Sequence, residues 1–384
     1  MTTRIPAPLR IPTPIVARIS LAAWRHNFAT LKAAAPQSQF LAVIKADAYG
    51  HGAIKAAQTL KEADAFGVAR LGEGVELREA GVQQPIVLME GIFSDQELAL
   101  ALHHELDLVV HDETQLVMLE QRARATGAGV DARRVVWLKL DTGMSRLGFA
   151  PDCALNAAER LRVLPMVGEL RVMTHFACAD EPESAMTVEQ LALFEAIIKE
   201  INSAASARGA WASSEVGLAN SAAILQWPKT QRDWVRAGIA LYGTSPILGR
   251  SAELLGLKPV MTLCSRVIAL RELQPGQSVG YGASWRTPRR SRIATVAAGY
   301  ADGLSRHLPS GAPVLVDGRR APLVGRVSMD MITVDVTDLD DVQVGSEVVL
   351  WGEGLPVDEV AAAAGTIAYE LLCSVTRRVA FEYF

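Results

Sequence analysis

Along the chain, short apolar runs alternate with amphipathic stretches. Ser20 has the character of an N-cap, and the segment LAAWRHNFATLKAAA after it sets Leu21, Trp24, Phe28 and Leu31 on one face, which predicts a helix. FLAVI, AFGVA, PIVLM, LDLVV, RVVWLKL, LRVMTHF, SSEVGLA and WVRAGIALYG then read as strands, the seventh weakly. Between them AIKAAQTLKEA, EGVELREAG, TQLVMLEQRARATG and TVEQLALFEAIIKEINSAASARG read as helices. Roughly eight strand–helix units fill about the first 245 residues, the number and length of a closed parallel (β/α)8 barrel. A doubly wound open sheet is the competing arrangement, but no glycine-rich dinucleotide fingerprint follows the first strand.

From about Gly249 the texture changes. VMTLCSRVIALREL, SVGYGA, RIATVAAGY, PVLVDG, MITVDVTDL and SEVVLWGE are alternating or β-branched runs divided by PG, DG and GE turns. The expected fold class is therefore α/β: a TIM-type barrel over residues 1–246, then a mainly β domain over 247–384 with a short helix around DEVAAAAGTIAYELLC.

Composition narrows the function. Half of the 384 residues are hydrophobic and 21% are charged, so a large core is available and wholesale disorder is excluded. The net charge is -4, and no basic run is interleaved with aromatics, which argues against a nucleic-acid partner; Arg289-Arg290-Ser291-Arg292 reads as a solvated strand cap. Cys153, Cys178, Cys264 and Cys373 lie far apart without metal-ligand spacing, so neither a metal site nor a disulfide framework is expected. Pro6, Pro8, Pro12 and Pro14 interrupt the opening segment, and no window approaches a membrane span, so the expected location is the cytoplasm.

In a (β/α)8 barrel, functional side chains sit at the C-terminal ends of the strands. Lys45 follows FLAVI at such a place; Arg146, His175, Asn220-Ser221, and Arg236 with Gly238 fall at the corresponding points of later units. Each alone has a plain reading, a solvated cap partner for the lysine or a hydrogen-bonded core residue for the histidine. Together they point to one polar mouth.

AVIKADAYGHG, LDTGMSRLGF, THFA, ANSAA, WVRAGIALYG, VGYGA, AAGYADG, GRVSMDM and GTIAYE, in this order from the early barrel almost to the C-terminus, together resemble the alanine racemases, enzymes that use pyridoxal phosphate. The resemblance implies a fold-type III architecture and a homodimer with the active site shared between subunits. It makes Lys45 the lysine that carries the cofactor and one of two catalytic bases. Tyr281, reaching in from a second subunit, is the other. It implies phosphate contacts from Tyr49, Ser221, Tyr369 and the backbone amides around Gly238 and Ile239. Arg236 would face the ring nitrogen, and His175 would hydrogen-bond both Tyr281 and Arg236. Arg146 and the amide of Met329 would hold the substrate carboxylate. Lys139 matches a lysine that is carbamylated in some relatives, and the free amine and the carbamate both stay open. Tyr300, Arg306, Arg326, Asp330 and Ile367 match residues lining the entrance. Asp47 stands where many relatives carry asparagine, adding a carboxylate near Lys45.

Three other functions compete. A broader racemase acting on serine differs only in pocket size, and hydrophobic pockets reject an added hydroxyl poorly. A decarboxylase of the same fold lacks the VGYGA tyrosine, and a single-barrel pyridoxal-phosphate-binding protein lacks the β domain. The motifs are shared by enzymes that make D-alanine for peptidoglycan and by those that consume it.

Overall fold

The computed structural model describes residues 13–126, 133–207 and 214–384. The start of the opening segment, Gly127 and the end of the SAASARG helix fall outside these. The chain divides into two compact units, residues 21–258 and residues 1–20 with 259–384.

β1 (Val16–Ile19) belongs to the second unit, not to the barrel as the sequence suggested. The unit at 21–258 opens with α1 (Leu21–Ala34), the helix predicted after Ser20. β2 (Gln39–Val43) follows, then the single turn α2 (Lys45–Gly50), α3 (Ala53–Thr59), β3 (Ala65–Val68), α4 (Leu71–Glu79) and β4 (Ile86–Leu88). Next come α5 (Asp95–His103), β5 (Asp107–Val110), α6 (Glu113–Thr126), β6 (Arg134–Lys139), α7 (Pro151–Arg162) and β7 (Val167–Met173). α8 (Met186–Ala207), β8 (Val216–Gly217), α9 (Ser221–Gln226) and β9 (Trp234–Ala237) complete it. β2 to β9 close into a barrel of parallel strands. The expected strands all form. α5 and α7 lie in DQELALALH and PDCALNAAERLR, which were not read as helices; α7 begins at Pro151, whose fixed φ suits a first helical residue.

Side chains two apart on one strand point the same way, which builds the barrel interior in layers. Trp137 and Trp234 meet edge to face at 5.6 Å, and the Arg171 guanidinium lies over both, 5.3 and 4.5 Å from the ring centres. Arg171 pairs with Glu169 at 2.5 Å and Glu215 at 3.0 Å, and the Trp234 indole donates to Glu215. This layer carries Lys139 and Arg236 two residues further along β6 and β9.

The second unit is mainly β. β1 runs antiparallel to β10 (Met261–Leu273) and parallel to β18 (Ala380–Tyr383), so the start of the chain is the strand that joins them. The remaining strands are β11 (Ser278–Val279), β12 (Trp285–Arg286), β13 (Ser291–Val296), β14 (Pro313–Val316), β15 (Arg319–Pro322), β16 (Ile332–Asp335) and β17 (Glu347–Trp351). The one C-terminal helix expected is two, α10 (Val357–Ala363) and α11 (Ala368–Cys373). Gly365 takes φ 70° and Thr366 donates back to the Ala361 carbonyl, the left-handed exit that ends a helix. Among the described residues, no helix is long and apolar enough to cross a membrane, and Cys153, Cys178 and Cys264 are free thiols.

The place of β1 is open to test. Ile19 is fully buried, so Ile19→Asp forces a carboxylate into the β core at a cost of about 3 kcal/mol or more. Limited proteolysis of this variant is expected to cut within residues 259–384 first; first cuts within 21–258 would contradict the assignment of β1.

Candidate functional site

β2 delivers the chain to Lys45 through the buried Ile44. The next four residues, Ala46 to Tyr49, all adopt left-handed helical angles, φ 51–53° and ψ 42–52°. For residues with a side chain this costs roughly 1–2 kcal/mol each, so the turn needs fixed partners. Glu73 is one: its carboxylate accepts from Ala46 N–H at 2.6 Å and from Ala69 and Arg70 at 2.7 and 3.0 Å. Asp47 is another. Its side chain accepts from Ala53 N–H at 2.7 Å, and its carbonyl accepts from His51 and Gly52. An asparagine oxygen would accept this bond equally well.

His51 holds the far end of the turn. Its Nδ1 lies 2.8 Å from the Tyr49 carbonyl and 3.0 Å from that of Ala48, so Nδ1 carries the proton. The ring is buried against Tyr242 and Trp24, and burial pushes its pKa down to about 4. Tyr242 stacks on Tyr49 at 4.6 Å and donates its hydroxyl to the Val43 carbonyl. Lys45 thus leaves a rigid strand and enters a rigid turn.

Tyr49, Ser221, Gly238 and Ile239 come together beside that turn. Ser221 Oγ accepts from Gly238 N–H at 2.8 Å and from Ala240 N–H at 3.4 Å, which leaves its own proton to donate outward. A Cβ on Gly238 would stand 2.6 Å from Tyr49 Oη, so only glycine lets the hydroxyl approach that backbone. The group offers hydroxyl and amide donors, the chemistry that binds a phosphate.

The other barrel residues form a basic cluster. Arg236 is 3% exposed, and its guanidinium donates to the carbonyls of Gly217, Thr174 and Leu218 at 2.6, 2.6 and 3.2 Å. Burial lowers its pKa to about 10, which still leaves it protonated at neutral pH. The His175 Nδ1 stands 3.5 Å from Arg236 Nη2, at the limit of a hydrogen bond. Burial, then Arg236, Lys139, Arg146 and Lys45, hold the His175 pKa well below its usual value, so the imidazole is neutral and able to accept. Lys139 is pushed down to about 8 by burial and by Arg236, Arg146 and Lys45, against the opposing pull of Asp141. Arg146 is exposed on the loop after β6, a turn that closes where Phe149 N–H meets the Lys139 carbonyl at 2.8 Å. Gly148 makes that turn possible, at φ 132° and with a would-be Cβ only 2.5 Å from the Asp141 nitrogen. Such a concentration of positive charge favours anionic ligands.

The remaining residues lie in the β unit. Tyr281 is 70% exposed, on a tip between Gly280 and Gly282, which take φ 73° and 70°. The Arg326 guanidinium packs beside Gly282. Tyr300 and Met329, both exposed, sit on two segments tied by Tyr300 N–H to the Ser328 carbonyl and Ala301 N–H to that of Met329, each at 3.0 Å. Asp330 is paired with Arg378 at 2.8 Å, and Arg306 is exposed. Ile367 and Tyr369 are exposed at the start of α11.

Sequence reasoning gave no role to Glu73, His51, Tyr242 or Gln190. His51 and Tyr242 lie inside AVIKADAYGHG and WVRAGIALYG, so their position was available. Glu73, three residues after Arg70 at a helix start, has the spacing of a cap. Gln190, in the middle of a polar stretch of α8, carried no signal.

Residues 19–246 match the family profile "Alanine racemase, N-terminal domain", and residues 260–383 match "Alanine racemase, C-terminal domain". The chain is 50% identical over 368 residues to the alanine racemase of Nitrosospira multiformis, an alignment covering 95% of this chain and 98% of that one. Against the alanine racemase of Shewanella woodyi the identity is 48% over 366 residues, 95% of this chain and 97% of the relative. Among solved structures, the biosynthetic alanine racemase from Pseudomonas aeruginosa superposes with a TM-score of 0.90 at 48% identity, covering 97% of this chain and all of that one. With both profiles matched in order and near-complete coverage by relatives this similar, the chain belongs to the alanine racemase family.

Proposed function

We propose that this chain racemises alanine with pyridoxal phosphate, removing a proton from one face of the α-carbon and returning one to the other. The observation that carries the reading is the grouping, in one barrel unit, of a lysine on a braced turn, the Tyr49–Ser221–Gly238 donors, and the cations Lys139, Arg146 and Arg236.

The residues fit the cofactor. Tyr49, Ser221 and the amide of Ile239 would hold the phosphate, joined by Tyr369; the Gly238 N–H holds Ser221 Oγ in place, and the absent Cβ of Gly238 is what keeps Tyr49 Oη close to that backbone. Lys45 Nζ would carry it covalently, and Arg236 would face its ring nitrogen. When bound, pyridoxal phosphate acidifies the α-C–H of an attached amino acid by drawing electrons into its ring. Arg236 cannot accept a proton and would leave a ring nitrogen beside it unprotonated, which would weaken the electron withdrawal the cofactor supplies and favour return of the proton to the α-carbon over transamination.

Two bases are required because the proton leaves one face and arrives at the other. Lys45 Nζ serves one face and Tyr281 Oη the other. Tyr281 comes from a second copy of the chain, a role supported by its exposure on a glycine-flanked tip. Arg146 holds the substrate carboxylate through its planar guanidinium, with the Met329 amide beside it. Tyr300 and Tyr369 limit side-chain bulk and favour alanine. Neutral His175 keeps an acceptor beside Arg236. Lys139, with a pKa of about 8, has an amine fraction at neutral pH able to add carbon dioxide with loss of a proton; the carbamate would place a negative charge beside Arg146. The exposed free thiol of Cys153 supports a reducing compartment, the cytoplasm.

The test is a chiral assay of the protein loaded with pyridoxal phosphate, in deuterated water, with L-alanine, L-serine and L-lysine separately. D-alanine bearing α-deuterium is expected to form fastest; release of carbon dioxide instead, or faster turnover of serine, would replace the reading. Lys45→Ala is expected to lose the visible band of bound cofactor and to slow racemisation by at least about 1,000-fold. Tyr281→Phe should keep the band and slow α-proton exchange from L-alanine about 100-fold or more, with exchange from D-alanine slowed far less. Equal slowing on both faces would remove Tyr281 from its role.

Acid stability follows from His51. Its folded pKa, about 4, lies below the unfolded value, so the unfolded chain binds the proton first as pH falls. Stability from this group is therefore full above pH 6.5 and is lost progressively towards pH 4. Urea unfolding followed by tryptophan fluorescence should show a smaller loss between pH 7 and 5 in His51→Asn than in the unsubstituted protein, by about 2 kcal/mol. An identical loss in both would exclude His51 as a source.

A further inference from the structure

α8 sends one amide into the gap between the loop that carries Arg146 and the end of β7. Gln190 is 1% exposed. Its Oε1 accepts from Ala177 N–H at 2.9 Å, and its Nε2 donates to the His175 carbonyl at 3.0 Å and to Thr142 Oγ1 at 3.2 Å. A main-chain N–H only donates and a carbonyl only accepts, so the orientation of the amide is fixed.

The direction of the remaining bonds follows. Thr174 Oγ1 donates to the Leu140 carbonyl at 3.0 Å, so in its 2.8 Å contact with Thr142 it must accept. The chain of donors therefore runs from Gln190 to Thr142, to Thr174, to Leu140. Thr142 is 5% exposed and Thr174 is 1% exposed, so water does not replace these partners. At one end the chain holds the loop that leads to Arg146. At the other it holds Thr174, whose carbonyl accepts from Arg236 Nη2 at 2.6 Å.

We infer that Gln190 is a positioning residue that sets the spacing between the Arg146 loop and the His175–Arg236 pair, and thereby the affinity for the substrate carboxylate. This rests on the reading that Arg146 holds that carboxylate. Gln190 bonds to the main chain of His175 and Ala177 and to Thr142, and the Tyr49–Ser221–Gly238 donors and Lys45 are held by other partners, so its effect should fall mainly on substrate binding.

The test compares the cofactor-loaded protein with Gln190→Met, which keeps length and removes all three bonds, and with Gln190→Glu, which keeps the acceptor and loses both donors. Both are expected to raise KM for alanine about tenfold, with kcat changed less than about threefold and with cofactor affinity, by absorbance titration, unchanged. Hydrogen exchange by mass spectrometry should quicken about tenfold across residues 142–146 and at Ala177. Thr142→Val cuts the same chain from the other loop and should reproduce the KM effect, which covers the case of a Gln190 variant that does not fold. An unchanged KM with a lower melting temperature would make Gln190 a structural brace only and overturn the inference. A loss of cofactor affinity equal to the rise in KM would also overturn it. If the unsubstituted protein binds cofactor but racemises nothing, the functional reading fails by itself; calorimetric binding of alanine then makes the same comparison, with weaker binding by the variants expected and equal binding overturning the inference.

Discussion

Removing a guanidinium from water is the constraint around which the barrel site is arranged. An unpaired buried cation costs several kcal/mol, and Arg236 meets this cost with main-chain carbonyls at the ends of β7 and β8. Carbonyls satisfy the donors without cancelling the charge, so the field of Arg236 persists. Burial first, and this field next, lower the proton affinity of Lys139 and His175. The layer below behaves differently: Arg171, also enclosed, is neutralised by Glu169 and Glu215 and seated on two indoles. One barrel thus holds two arginines, one with its charge balanced and one left available. The balanced arginine belongs to the packing, and the unbalanced one marks where an electron-rich ligand belongs.

The turn after Lys45 shows a second use of local strain. Four successive left-handed residues are unfavourable on their own, and their partners come from three places: Glu73 at the start of α4, His51 just beyond the turn, and Tyr242 after β9. The lysine is consequently located by elements on both sides of β2. Holding a reactive amine this way removes freedom that the chemistry would otherwise have to take up when the reacting atoms meet. It also explains why histidine suits position 51. A neutral ring supplies an Nδ1–H to two carbonyls while its body fills an aromatic pocket, and no other small side chain combines these.

Most of the fold was legible because it rests on period. Strands buried on both faces give continuous apolar runs, and the (β/α)8 count follows from their number. β1 was missed because VARI is short and follows prolines, and its sheet partners, β10 and β18, lie more than 240 residues away. No local pattern encodes such a pairing. α5 and α7 are harder to read for a different reason: their buried faces, Leu98 and Ala101 in one and Ala154, Ala157, Ala158 and Leu161 in the other, are built largely of alanine, which marks a stripe weakly beside the charged residues that flank it. At the site, the residues bearing charge stood out at strand ends, as Lys45, His175 and Arg236 did. The residues that brace them did not: Glu73 and Gln190 look like ordinary polar positions of surface helices, and only the fold brings them against the site.

The β unit raises a different question, because several of its residues are placed against the usual economy of a folded surface. Tyr281, Met329 and Ile367 are each more than half exposed, and Tyr281 stands on a tip whose backbone requires two glycines. Neither arrangement contributes to the stability of the unit, and glycine makes the tip more costly to order. Racemisation supplies a reason. Groups rooted in one barrel mouth approach a bound amino acid from the side of that mouth, so a base for the opposite face has to be carried by another body. A phenol on a projecting, glycine-flanked tip has the form that this demand requires, in keeping with the proposal that a second copy supplies it. An exposed phenol on the β unit and an unbalanced cation in the barrel are each unfavourable on their own, and that is the physical support for reading each as part of a binding surface and not of the packing.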